Sequence, residues 1–322
     1  AYRDGGGRVN GEYLPLLGEQ YYRIQNYDRM DPFFMSIVSN SDHWLFISST
    51  GGLTCGRRNA DSALFPYDTD DKIAASSGET GHKAVLLVTK GRRTYLWEPF
   101  SGRCAGIYQA ERNLYKNVYG DKLVFEETNR DLGLTYRYAW RTSDRYGFVK
   151  TAWLQDESGD ACSVVLVDGL QNLLPYGASV QTQRLFSNLL NAYKRNELEP
   201  QTGLGIFSLS SGLTDLAEPS ESLRATTVWQ TGLDNACYLL SSYQLAAFER
   251  GGEITQETDV RGRSGSYLVH AEFDLMPAEE RHWHIVAELN QGHCSVVSLA
   301  NSLRGDRSVL RARLEADIAE GT

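Results

Sequence analysis

Between Phe46 and Ile73 the chain reads FISSTGGLTCGRRNADSALFPYDTDDKI, its densest run of groups able to hold a ligand. Gly51-Gly52 turns the chain, Arg57-Arg58-Asn59-Ala60-Asp61 follows, and the aromatic residues Phe65 and Tyr67 come next. Guanidinium, amide and carboxylate groups hydrogen-bond sugar hydroxyls, and aromatic faces stack on the apolar faces of sugar rings. Arg57, Arg58, Asp61 and Tyr67 are therefore the candidate substrate-binding residues. The competing reading is a structural loop closed by an internal Arg–Asp pair.

Groups that could break a bond are harder to find. Glycosidic cleavage needs two carboxyl groups flanking one bond. Asp70-Asp71, Glu126-Glu127 and Glu279-Glu280 are adjacent pairs, but neighbours on a strand point to opposite faces. All three read as solvated surface charge. His282 and His284 would share a strand face, as paired metal ligands should, with His293 nearby. No carboxylate or cysteine stands at a diagnostic offset, so they read as ordinary polar strand residues, with no metal and no cofactor expected. His293-Cys294 is no catalytic dyad, because such partners meet in space and not along the chain. There is no nucleophile elbow, phosphate-binding loop or dinucleotide fingerprint. No catalytic residue is assigned.

The elements that must position these groups are mostly strands. Short β-rich runs separated by Gly, Asn and Asp recur from Phe34 onward. Leu134–Trp140 alternates cleanly, and Cys162–Asp168 is nearly all apolar and reads as central. Tyr108–Arg112, Leu114–Tyr119, Leu123–Thr128, Gly147–Gln155, Gly205–Ser210, Ser222–Gln230, Ala236–Leu245, Ser266–Phe273 and His282–Leu289 continue the pattern. So many strands predict a mainly β fold, a large two-sheet antiparallel sandwich over residues 1–290. Val180–Glu197 reads as a helix or irregular insertion. The segment 291–322 reads as helical, with Val309, Leu310, Leu314 and Ile318 on one face, Asp306 as N-cap and Gly321 as stop.

Composition narrows the partners. A net charge of −9 argues against a nucleic-acid ligand, and no apolar run is long enough for a membrane span. The polar stretch Ala1–Asn10 lacks a signal-peptide core. Five dispersed cysteines, Cys55, Cys104, Cys162, Cys237 and Cys294, read as buried reduced thiols in a cytoplasmic protein.

Gly51, Gly52, Arg57, Arg58 and Tyr67 resemble a stretch in the N-terminal domain of the cellobiose and chitobiose phosphorylases. There a Gly-Gly turn after an early strand leads into an Arg-rich segment and a Tyr. The strand order Tyr108–Tyr119, Leu123–Thr128, Leu134–Trp140 is similar to that family's next section. Asp168–Pro175 and Ala217–Ser222 resemble motifs of large relatives, and Ser295–Glu320 is similar to a helical linker. The insert Val180–Glu197 and the run Gly-Gly-Leu-Thr-Cys-Gly depart from the best-known members.

The resemblance implies a galactose mutarotase-like super-sandwich whose final helices lead to a catalytic (α/α)6 barrel outside this chain. It implies a non-catalytic N-terminal domain of a glycoside phosphorylase or hydrolase. That domain packs on the barrel, shapes a pocket for an oligosaccharide or sugar phosphate, and often supports a homodimer. Two alternatives stand beside it. One is an autonomous aldose 1-epimerase using His270 and Glu272 on one strand face. The other is a stand-alone carbohydrate-binding module.

Overall fold

Alternation governs how the chain layers. Tyr136, Tyr138 and Trp140 point to one side of their strand into a core, while Ala139 points to the other. The computed structural model describes residues 7–213, 217 and 221–320. Ala1–Gly6, Gly321 and Glu218–Ser220 of the Ala217–Ser222 motif therefore lie outside the described residues.

In chain order the strands begin with β1 (Asn10–Leu16), β2 (Glu19–Gln25), β3 (Phe34–Ile37), β4 (His43–Ser48) and β5 (Leu53–Arg57). Helix α1 (Asp70–Ala75) precedes β6 (Gly81–Lys90), β7 (Arg93–Trp97), β8 (Ala110–Asn117), β9 (Leu123–Asn129) and β10 (Leu134–Ser143). Next come β11 (Gly147–Asp156), β12 (Cys162–Leu173), helices α2 (Val180–Leu185) and α3 (Ser187–Tyr193), then β13 (Lys194–Glu199), β14 (Leu204–Leu209) and β15 (Ala225–Thr231). The chain closes with β16 (Cys237–Leu239), α4 (Leu245–Phe248), β17 (Asp259–Arg261), β18 (Gly265–Leu275), β19 (Glu280–Gln291), α5 (His293–Arg304) and α6 (Arg307–Glu320).

An eleven-stranded sheet runs β1-β2-β8-β9-β10-β11-β19-β15-β14-β13-β17, and a five-stranded sheet runs β16-β18-β12-β6-β7. Their pairings are antiparallel. The two sheets share one core, with Trp140, Phe148 and Trp283 from the long sheet and Leu86, Leu166 and Tyr267 from the shorter one. This is the predicted two-sheet antiparallel sandwich. A third sheet, β3-β4-β5, adds Leu45, Ile47, Leu53 and Cys55 to the same core.

Several local readings change. The two runs between Tyr108 and Tyr119 merge into β8. Val180–Glu197 is two short helices followed by a strand, because Lys194, Asn196 and Leu198 alternate inward. Ala236–Leu245 is strand only over β16. β1 and β2 carried no strong hairpin signal, since their two-residue turn is Leu17-Gly18. Both residues there are left-handed (φ 49 and 81), as a type I′ turn demands, but Leu is not a residue that advertises it.

The final helices form where expected and lie on the outer face of the long sheet, but Val309 is exposed and does not share the buried face of Leu310, Leu314 and Ile318. Leu303, Leu310, Leu314 and Ile318 pack with Tyr146, Val149, Trp229 and Val286. Asp306 accepts the amide of Ser308 (2.8 Å), which makes it the N-cap of α6. No helix among the described residues is long and apolar enough to cross a membrane. Cys55 and Cys162 are buried free thiols, whereas Cys294 stands exposed on α5.

Candidate functional site

β5 ends at Arg57, and its end meets the end of β19. Arg57 donates through Nε and Nη2 to the two oxygens of Glu288 (3.0 and 2.5 Å) and through Nη1 to Asp42 Oδ1 (2.7 Å). Arg58 follows in left-handed conformation (φ 59), which costs a non-glycine residue on the order of 1 kcal/mol. Its Nε reaches Asp42 Oδ2 at 3.2 Å, and its side chain is 78% exposed. A cleft of about 430 Å³ opens beside these pairs, lined also by Asn59, Tyr176 and Gln291. Three distant parts of the chain thus converge: the β4–β5 hairpin, the segment after β12, and the end of β19.

The cleft is polar and its charges are fixed. Hydrogen bonding from Arg57 holds the Asp42 carboxyl below the usual carboxylate range, so it stays ionised near neutral pH. Burial works against the Arg57 charge, but its bonds to Glu288 and Asp42 outweigh that and raise its pKa. Asp42 is no proton donor here. Asp42 and Arg57 are arranged to hydrogen-bond a ligand in their charged forms.

The four residues expected to bind substrate separate in space. Arg57 and Arg58 share the cleft. Asp61 instead accepts the amide of Val180 at 2.9 Å and ties down the start of α2. Tyr67 packs edge-on against Trp44 (5.6 Å, 89°) beside Phe46, on the outer face of the three-stranded sheet. Asp42, Tyr176, Glu288 and Gln291 escaped the sequence reading, because nothing local marks a residue 231 positions from Arg57 as its partner.

Other singled-out residues serve the frame. Glu126-Glu127 is not surface charge: both are buried, and this reading is corrected. Glu127 accepts from Trp97 Nε1 (2.8 Å) and Arg112 Nε (2.7 Å), and Glu126 from Tyr115 Oη (2.7 Å) and Arg137 Nε (2.5 Å). Arginines on neighbouring strands offset the cost of that burial. Gly51 is left-handed (φ 91), and a Cβ on Gly52 would overlap the carbonyl oxygen of Ile73 in α1, so the Gly-Gly pair has a packing cause. His270 and Glu272 lie 3.9 Å apart, with His270 edge-on to Phe248. His270 stands opposite Val167 on the outer face of the five-stranded sheet, where Glu272 is exposed.

A smaller polar cavity of about 120 Å³ lies at the other end of the small sheet, lined by His82, Lys83, Glu98, Phe100 and Tyr138. The His82 ring stacks on Tyr138 at 3.9 Å, and burial pushes its pKa well below the ordinary value. Lys83 pairs with Glu98 at its edge.

No protein-family model matches the chain, and no curated protein matches it. Among solved structures it is similar to a bacterial glucoamylase complexed with acarbose (TM-score 0.40, 9% identity, covering 88% of this chain and 37% of that one). It is similar also to a polysaccharide lyase (TM-score 0.41, 14% identity, covering 81% and 33%) and to a heparinase III (TM-score 0.34, 10% identity, covering 82% and 35%). The chain spans about a third of the length of these proteins.

Proposed function

We propose that this chain is a non-catalytic β-sandwich domain of a larger carbohydrate-active enzyme, of the glycoside phosphorylase or hydrolase kind, and that its Arg57–Asp42–Glu288 cleft holds part of a sugar chain. One observation carries the reading. Arg57 and Arg58 share a polar cleft of about 430 Å³, a size within the ordinary range of small-ligand sites. Donors on Arg58, Asn59 and Gln291, acceptors on Asp42 and the ring of Tyr176 suit a polyhydroxylated neutral ligand. The ion pairs are already made, so a ligand meets a preorganised surface.

The ionised state in which Arg57 holds Asp42 supports a binding role. So does the resemblance of the Gly51–Tyr67 stretch to phosphorylase N-terminal domains. In this reading residues 1–290 form the sugar-facing body and residues 291–322 lead towards a catalytic barrel.

Isothermal titration of the purified chain with malto-, cello- and chito-oligosaccharides tests the proposal. Weak saturable binding to one series, lost in Arg58→Ala, is expected, with no turnover by the chain. Phosphorolysis or hydrolysis by the chain alone would contradict it, as would binding indifferent to Arg58.

A further inference from the structure

β19 carries His282 and His284 on the outer face of the long sheet, and α6 lies along that face. The helix brings a carboxylate that no local spacing announced. Glu315 Oε1 is 3.3 Å from His282 Nε2 and 3.2 Å from His284 Nε2. One ligand-type atom from each of the three residues falls within 4.8 Å of the others. A tetrahedral ion with bonds of about 2.0–2.1 Å holds its ligand atoms roughly 3.3 Å apart. Two edges of such a tetrahedron therefore stand at the right length.

The surroundings also suit a metal. Thr151 Oγ1 lies 2.9 Å from His284 Nδ1, which fixes the ring and leaves Nε2 facing Glu315. Orientation of a histidine ligand through its other nitrogen is the usual support of a metal site. His284 is buried, whereas His282 and Glu315 are 39% and 40% exposed, so the site opens to solvent on one side. That side leaves room for a fourth, exchangeable ligand.

We infer that His282, His284 and Glu315 bind one divalent transition-metal ion, zinc by the nature of the ligands. The ion clasps α6 to β19. Arg311 is the competitor. Its Nε bonds Glu315 Oε1 at 2.9 Å and its Nη2 lies 2.5 Å from His282 Nε2, so it occupies the ligand atoms when no ion is bound. It stands one turn before Glu315 on α6 and is partly exposed, so it can swing into solvent as the ion enters.

The test uses the untagged 322-residue chain, stripped with chelator and titrated with zinc chloride, and in parallel with cobalt(II). One saturating equivalent is expected, with the strong visible absorption of four-coordinate cobalt. His282→Ala and Glu315→Gln, at half-exposed positions that spare the fold, should each weaken zinc at least tenfold. Arg311→Ala should tighten it, by removing both a competitor and a repelling charge. A His293→Ala/Cys294→Ser control should leave uptake unchanged. No saturable uptake, uptake indifferent to His282 and Glu315, or uptake lost in the His293/Cys294 control would each overturn the site.

Discussion

Lys150 Nζ stands 2.5 Å from Asp168 Oδ1, and neither side chain reaches solvent. Lys150 belongs to β11 of the long sheet and Asp168 to β12 of the shorter one, so the pair bridges the sandwich through its core. Tyr136 Oη (3.1 Å) and Trp283 Nε1 (2.5 Å) donate to the same carboxylate. Burial pushes the Lys150 pKa down, and Asp168 opposes that shift. Removing one member strands the other in the core, at a cost of about 3–5 kcal/mol. Asp168→Asn and Lys150→Met should each show that loss in denaturant unfolding. The double variant should cost less than the sum of the two. Additive losses would mean the charges do not meet.

Arg58 and Tyr67 make opposite predictions although nine residues apart. Arg58 lines the cleft, and Tyr67 packs on Trp44 outside it. Arg58→Ala should weaken oligosaccharide binding roughly tenfold or more, the value of one charge-assisted hydrogen bond, with unchanged stability. Tyr67→Ala should leave that affinity alone. Titration calorimetry on both variants decides, and a loss confined to Tyr67→Ala would move the binding surface to the aromatic patch.

His43 should give the fold an acid-sensitive step. Its ring packs edge-on against Phe148 at 5.0 Å, and burial, helped by the Arg57 charge, lowers its pKa from 6.5 to about 4. The unfolded chain then accepts a proton that the native state refuses. Stability is fully present above 6.5 and is lost as pH falls towards 4. His43→Phe should remove on the order of 1–3 kcal/mol of that decline. Denaturant midpoints at about pH 7 and about pH 4.5 measure it. Parallel curves for the two proteins would show that His43 titrates normally.

Leu314 tests how firmly the last helix is held. It is fully buried in α6, in the cluster that contains Trp229 and Val286 of the long sheet. Leu314→Ala should cost about 2–5 kcal/mol, as for other buried leucines. Thermal unfolding of the variant reads it. A loss below about 0.5 kcal/mol would mean the helix rests on the sheet without contributing to it.

The β layering and the final helices were legible because they rest on local periodicity. Leu134–Trp140 shows its two faces in its alternation, and Leu310, Leu314 and Ile318 show theirs in helical spacing. Arg57 and Arg58 were legible as a charged pair, and the structure keeps both at one cleft. Asp61 and Tyr67 were grouped with them by proximity in sequence alone.

The amino-acid order alone determined most of the central strands and the final helices, the apolar faces of those elements, and that the chain makes a large antiparallel sandwich, but not the β1–β2 hairpin or the helix–strand division of Val180–Glu197. It determined these because a strand or helix repeats every few residues. Tertiary structure decided that Glu288 meets Arg57, that Glu315 meets His282 and His284, and that Glu126 and Glu127 lie buried against arginines. Those contacts depend on which strands end up neighbours in a sheet, and a strand's partner is chosen by the packing of the whole core.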